Sequence, residues 1–490
     1  MSPDEFRRLG HRAIDWIADY WERVGDLPVL SGARPGETAA KLPSSAPETP
    51  DAWDDIWADL DRVVLPGLTH WQSPRFFGFF PANGSFPAIL GDLLSTGLGV
   101  QGMLWATSPA CTEIETRVLD WLGGLLGLPP DFLSTGPHGG GVIQGTASEA
   151  TLVALCAARH RALRARPPGS PPPHLTMYAS TQAHSSVVKA AMIAGLAHGP
   201  EDRAHLRLIG TDDRYAMRPD LLEAAVREDL AAGRTPFFGV ATVGTTSTTA
   251  IDPLGPIARV CREHGLWLHV DAAFSGAACI CPEFRGPIED VGGADSFCFN
   301  PHKWLLTSFD CDCLWTRDRD SLVGALSVTP EYLRNAASAS GEVIDYRDWQ
   351  VPLGRRFRAL KLWLVLRHYG AEGLRAYIRG HVRSAEVFEA LVRADSRFEV
   401  VTPRTSSLVC FRLRPQDGEA PAETDARNRR LLEAINASGR AYLTHTVLPP
   451  VATGGPASAP RYVLRMAIGA TLTEERHVRE AWELIRDLAS

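Results

Sequence analysis

Lys303 lies in the run DSFCFNPHKWLLTSFDC, residues 295–311, whose apolar and aromatic flanks read as the end of a buried strand. Desolvating an ammonium there costs several kcal/mol or forces the proton off. The chain has 50 basic residues, yet its only lysines are Lys41, Lys189, Lys303 and Lys361. A lysine kept in apolar surroundings against that bias points to a task arginine cannot perform, namely attack on a carbonyl as a neutral amine. Lys41, in a Pro/Ser-rich stretch, reads instead as a surface residue.

A Schiff-base lysine requires companions at strand ends of the same sheet: a phosphate cradle, an acid for a pyridinium nitrogen and a flat group over the ring. GGGVIQGTASEAT, residues 139–151, offers the cradle, with small residues around Ala147 and Ser148 at a helix start. Asp271 ends the strand-like WLHVD, where a buried carboxylate demands a partner. His184 in QAHSS stands at another strand-to-helix junction and is flat enough to stack. Thr246 in VGTTST and Asn300 add polar groups at further strand ends. Taken singly, each has an ordinary reading: an N-capped turn, a helix cap or salt-bridge partner, a structural histidine. Together they run in the order cradle, His, Thr, Asp, Asn-x-His-Lys.

Those residues need a scaffold. Between about 140 and 320, strand-like VIQG, LTMYAS, FFGVATVG, WLHVDAAF and SFCFN alternate with helical segments, which predicts a mainly parallel sheet covered by helices. Ligands collect at the carboxyl ends of such strands. After about 355 a long helical pattern leads into RFEVV, SLVCFRL and RYVLRMAIG, with helices at 426–438 and 473–488, a smaller α+β unit. At the N-terminus Ser2-x-x-Glu5 forms a capping box with Pro3 at the first helical position, followed by the stripe Phe6, Leu9, Ala13, Ile17, Tyr20, Val24. Pro/Gly/Ser-rich stretches at 31–50, 165–173 and 449–460 read as exposed loops.

The net charge of −7 gives no support for nucleic acid or an anionic membrane as partner, and no apolar run reaches spanning length. Nine scattered cysteines, an odd number without zinc or redox spacing, suit reduced thiols in a cytoplasm, and no metal is expected.

The motifs EFRRLG, PGLTHWQSPRFFGFFP, SPACTEIETRVLDWL, GGGVIQGTASEATLVAL, AHSSV, LHVDAAFSG, FNPHKWLL and DYRDWQVPLGRRFRALKLW run nearly end to end. On them the chain closely resembles the pyridoxal-phosphate-dependent aromatic-L-amino-acid decarboxylases (group II decarboxylases). The resemblance implies a fold-type I, aspartate aminotransferase-like α/β fold. Its expected parts are an N-terminal helical segment packing on the partner subunit (1–85), a large cofactor-binding domain (86–360) and a small C-terminal α+β domain (361–490). It implies that Lys303 holds pyridoxal 5'-phosphate as a Schiff base, that Asp271 pairs its ring nitrogen and that His184 stacks on it. Ala147, Ser148 and Asn300 would hold the phosphate, with Thr246 near the ring and His302 assisting beside the lysine. An obligate homodimer with shared active sites also follows. The segment around Ala82 would border the substrate, while Gln101, Met103 and residues near Leu353 and Gly354 would reach the neighbouring subunit's site.

Tyr332, in VTPEYLRNAASASGE (328–342), is the implied proton donor on a loop that closes over the site. Tyrosine there and histidine at 184 match decarboxylases. Phenylalanine at the former place marks plant-type aldehyde synthases, and asparagine at the latter marks insect ones. Trp71, Phe79, Phe80, Met103 and Phe309 would line an aromatic pocket, leaving tryptophan, phenylalanine, tyrosine and dihydroxyphenylalanine open as substrates. The expected reaction is decarboxylation to an arylalkylamine and CO2. The alternative is oxidative conversion to an arylacetaldehyde.

Overall fold

The computed structural model describes residues 1–450 and 459–489. Its centre is a seven-stranded sheet of β1 (Gly140–Gln144), β2 (Leu175–Ser180), β3 (Leu206–Ile209), β4 (Thr235–Thr242), β5 (Trp267–Asp271), β6 (Ser296–Phe299) and β7 (Asp312–Thr316), in the order β1-β7-β6-β5-β4-β2-β3. The pairings from β3 through β6 are all parallel. β7 runs antiparallel to both β6 and β1. Every residue of β1, β2, β5, β6 and β7 is buried. That explains why these strands read as continuous apolar runs rather than alternating ones: helices cover both faces.

On one face the helix Ala147–Arg164 approaches closely because Ala150, Ala154, Ala157 and Ala158 leave little side-chain bulk between it and Val142, Cys298 and Leu314. On the other, Leu119 and Leu122 of the helix Pro109–Leu126, and Leu362 and Val365 of the helix Ala359–Ala394, join Val270 and Phe297 in one apolar cluster. The last helix starts later and ends further on than the sequence pattern implies. It is broken at Gly370, whose φ of 62° and ψ of 174° leave helical space without the penalty a Cβ would bring.

A second, antiparallel sheet of β8 (Phe398–Val400), β9 (Leu408–Leu413), β10 (Thr444–Leu448) and β11 (Arg461–Ala467) has the order β10-β11-β9-β8 and packs against the helices Pro421–Ala437 and Glu475–Leu488. The expected α/β class with a mainly parallel central sheet and a smaller C-terminal α+β part is the observed architecture. Strands β3 and β10 escape the sequence reading because each mixes half-buried or exposed positions into a short run.

The first helix is Pro3–Arg23, and Ser2 Oγ accepts from Glu5 N at 3.1 Å, as its cap signal predicts. Of its stripe, Leu9 and Val24 are buried and Phe6 is exposed. The stretches 31–50 and 165–173 are exposed loops, with one short turn at Ala39–Lys41. Most of 449–460 lies outside the described residues. All nine cysteines are free. No helix among the described residues is long and apolar enough to cross a membrane.

Candidate active site

Strand ends at the carboxyl edge of the large sheet enclose a cavity of about 220 Å³, far larger than a buried-water site. Phe80, Ala147, Ser148, His184, Thr246, Asp271, Asn300, His302, Lys303 and Phe309 all line it. Every one of these was a candidate from sequence.

Lys303 is placed by one short helical turn, Pro301–Trp304, after β6; Pro301 opens the turn and Lys303 N donates to Asn300 O at 3.0 Å. Burial pushes its pKa down, while Asp271 and then Asp312 oppose the shift. Lys361 is even less exposed, but its Nζ meets Asp92 Oδ2 at 3.2 Å, an ordinary ion pair. Lys303 has no such partner among the described residues, and its Nζ lies 5.5 Å from the centre of the Phe80 ring.

Asp271 closes β5, with Oδ1 accepting from Ala273 N at 3.0 Å, which orients the carboxylate at the strand end. His184 is the N-cap of the helix Ser185–Ile193, its Nδ1 accepting from Ser186 N at 3.2 Å. That bond leaves Nε2 as the protonated nitrogen of the neutral ring. Desolvation lowers its pKa, Asp271 opposing and Lys303 reinforcing the shift. His302 is held the same way: its Nδ1 accepts from Cys311 N at 2.9 Å, and burial pushes its pKa down to about 3.

At the cradle, Asn300 Oδ1 accepts from Ala147 N at 3.2 Å, joining the end of β6 to the helix start. A Cβ on Gly145 would come within 3.1 Å of the Glu149 carboxylate and 3.2 Å of that of Asp310. Gly244, at φ 91°, forms the opposite wall. A Cβ there would lie 2.1 Å from Ser275 Oγ and 2.7 Å from Ser275 Cβ. Gly244→Ala combines left-handed strain with overpacking and is expected to destabilise the fold by about 2–4 kcal/mol. A thermal unfolding midpoint equal to wild type would contradict this.

The structure also shows positioning residues that the sequence reading did not single out. Phe274 stacks between Phe80 (3.9 Å) and Trp304 (4.8 Å), making a rigid aromatic wall. Arg465 of β11, almost fully buried, donates to Thr246 O at 2.6 Å and Ser247 O at 3.0 Å, fixing the Thr246 loop from the small sheet. Asn83 ties three segments together: its N donates to His302 O at 2.7 Å, its Oδ1 accepts from Leu306 N at 3.0 Å, and its Nδ2 donates to Gly469 O at 2.8 Å. The one local signal for Arg465 was an arginine inside an apolar strand pattern. Asn83 carried none.

Other candidates lie outside this cavity in their own chain. Trp71 stacks on the exposed Phe79 and meets the buried Phe76 at a tilt. Ala82 contributes its carbonyl to Gln72 Nε2 at 2.7 Å. Gln101 Oε1 accepts from Arg355 N at 2.6 Å beside the exposed Leu353 and Gly354, and Met103 O accepts from Arg347 N. Tyr332, on the turn Glu331–Leu333, is 76% exposed. The following residues are not structureless: Asn335 Oδ1 caps a short helix, Ala336–Ser340.

These residues fit pyridoxal phosphate: an unpaired lysine with a lowered pKa, an oriented carboxylate, and a small-residue helix start that leaves space beside the backbone. The comparisons agree. Residues 35–414 match the pyridoxal-dependent decarboxylase conserved domain. The chain is 51% identical to the phenylacetaldehyde synthase of Arabidopsis thaliana, covering 100% of this chain and 97% of that protein. It is 48% identical to tryptophan decarboxylase 2 of Oryza sativa subsp. japonica, over 100% and 95%. The solved structure of Oryza sativa TDC with PLP and tryptamine superposes with a TM-score of 0.94 at 45% identity, covering 100% of this chain and 98% of that one. The chain belongs to the pyridoxal-dependent decarboxylase family.

Proposed function

We propose that the protein decarboxylates an aromatic L-amino acid (tryptophan, phenylalanine, tyrosine or dihydroxyphenylalanine) to the arylalkylamine and CO2, as a homodimer with shared active sites. The observation that carries this reading is the lining of the cavity. Lys303 and Asp271 face an aromatic wall of Phe80, Phe274 and Phe309, and among the described residues the lining has no further Lys, Arg, Asp or Glu side chain to neutralise a charged substrate side chain.

Bound pyridoxal phosphate supplies an electron sink for the pair left at Cα when CO2 departs. The protein's residues do the rest. Lys303 attacks as a neutral amine, favoured by its buried setting. Asp271 keeps the proton on the cofactor's ring nitrogen. His184 offers its flat neutral face, with Nε2–H directed away from the Ser186 bond. Ala147, Ser148 and Asn300 hold the phosphate, and Thr246 and His302 border the ring and lysine. Gln101 and Met103 shape the substrate pocket from the neighbouring subunit. The dimer is supported by the helix Phe86–Leu98, whose Phe86, Leu90, Leu93, Leu94 and Leu98 form an exposed apolar stripe.

Tyr332 delivers the proton to Cα, and its identity decides between the two reactions found among relatives. The test is product analysis after incubation with a mixture of aromatic amino acids. Wild type is expected to release amine and CO2 without consuming oxygen. Tyr332→Phe is expected to divert product to arylacetaldehyde, with one O2 and one water consumed and CO2, ammonia and hydrogen peroxide released. Aldehyde from the wild type would establish the synthase reading instead, and no turnover of any aromatic substrate would defeat both.

A further inference from the structure

Asp312 is fully buried, and neither of its carboxyl oxygens has a hydrogen-bond partner among the described residues. Buried carboxyl groups are kept in that condition rarely, because losing water without gaining a partner is strongly unfavourable. The topology places it at the site. β7 is antiparallel to its neighbours, so its first residue, not its last, lies at the carboxyl edge of the sheet. The register pairs Asp312 with Gln144 of β1 and, one step past the Phe299–Cys313 pair, sets it beside Asn300.

Residues opposite one another in antiparallel strands share a face, as do residues two apart along a strand. Gln144, Asp312 and Asn300 therefore form one row on the face of Val142, Cys298 and Leu314, which the helix Ala147–Arg164 covers. Asn300 in that row bonds the amide of Ala147, the first residue of the cradle helix. Asp312 thus lies under the turn that would receive a phosphate. Its neighbour Gln144 also has an unpartnered Oε1.

Among the described residues, the charges around it leave Asp312 no dedicated cation. Asp310 is paired with Arg358 at 3.3 Å, Glu149 accepts from Gly145 N at 2.8 Å, and Asp271 accepts from Ala273 N. Lys303 favours the ionised form of Asp312, but burial, the Cys311 thiol, Asp271 and Glu149 all favour the neutral acid, and its pKa is pushed well up. The thiols of Cys298, two residues before Asn300 on β6, and Cys313 are likewise pushed up by burial and supply no compensating charge.

We propose that Asp312 is a positioning residue for the phosphate cradle, holding a proton whenever the phosphate is bound and so making cofactor affinity fall as pH rises. The inference rests on the pyridoxal phosphate assignment. An ionised Asp312 would lie beneath the phosphate dianion in the same poorly solvated row, and the neutral carboxylic acid removes that repulsion. The sign follows by linkage. If the bound state carries one proton more than the free state, affinity declines with pH above the pKa of Asp312 in the cofactor-free protein, by up to about tenfold per pH unit.

The test is the dissociation constant of the full-length protein for pyridoxal phosphate and for pyridoxal, which lacks the phosphate, followed by absorbance of the lysine-bound cofactor. Measurements above about pH 7.5 avoid the phosphate's own second ionisation, near pH 6. For pyridoxal phosphate, Asp312→Asn is expected to bind progressively better than wild type as pH rises. For pyridoxal the ratio of the two proteins is expected to stay constant. A constant ratio with pyridoxal phosphate, or an equal rise with pyridoxal, overturns the proposal.

Should Asp312→Asn fail to fold, wild type alone decides. The slope of log Kd against pH must be steeper for pyridoxal phosphate than for pyridoxal, and equal slopes refute the coupling. Failure of either ligand to bind at Lys303 would instead defeat the cofactor assignment itself.

Discussion

Lys303→Arg is expected to lose turnover by roughly 10⁴-fold or more, although the positive charge is retained. The substitution separates two reasons for keeping a cation in the cavity. If Lys303 served only as a counter-charge for Asp271, arginine would satisfy that need, since the guanidinium stays protonated under all working conditions. A nucleophile must give up its proton, and burial of Lys303 lowers its pKa in that direction. Arginine cannot do the same, and it also brings a larger planar group against Phe80, whose ring centre is 5.5 Å from Nζ. The visible absorbance of lysine-bound cofactor should vanish together with amine production. A Lys303→Arg protein that retains both within an order of magnitude would remove Lys303 from the reaction.

Asp271→Asn is expected to cost about 3–5 kcal/mol in the barrier, a fall in kcat of roughly a hundredfold to several thousandfold. Asparagine preserves the size of the side chain, and its Oδ1 keeps the bond to Ala273 N. What it loses is the negative charge that would hold a proton on the cofactor's ring nitrogen from a position only 4% exposed. The effect should fall on kcat and not on the affinity for substrate analogues, because the charge matters most when electron density moves into the ring. An equal rise in KM with unchanged kcat would assign Asp271 to binding alone.

The residues of these two experiments were legible in the sequence because each stands in a local context that its chemistry contradicts. A lysine among Phe, Trp and Leu is conspicuous without any knowledge of what lies opposite, and an aspartate closing the apolar WLHVD gains its meaning beside that lysine. The cradle was legible for a related reason: a strand followed by small residues and a helix is continuous in sequence, so its geometry is local. Parallel strands β2, β4, β5 and β6 could be read from buried runs of one texture.

Asn83, Arg465 and Asp312 could not be read in this way. Asn83 meets His302, Leu306 and Gly469, partners up to 386 positions away, through bonds that leave no local pattern. Arg465 stabilises the Thr246 loop across 219 positions, from a strand of the other sheet. Asp312 stands between Cys311 and Cys313, a context that marks no site by itself. Only the reversed direction of β7 brings its first residue to the edge where Asp271 and Asn300 end their strands.

By itself, then, the sequence marked the candidate reactive groups, since reactivity is announced by residue type against immediate surroundings. The tertiary structure decided how those groups are held and which acids share their field. Hydrogen bonds and charges act over a few ångströms of space, with no regard for separation along the chain.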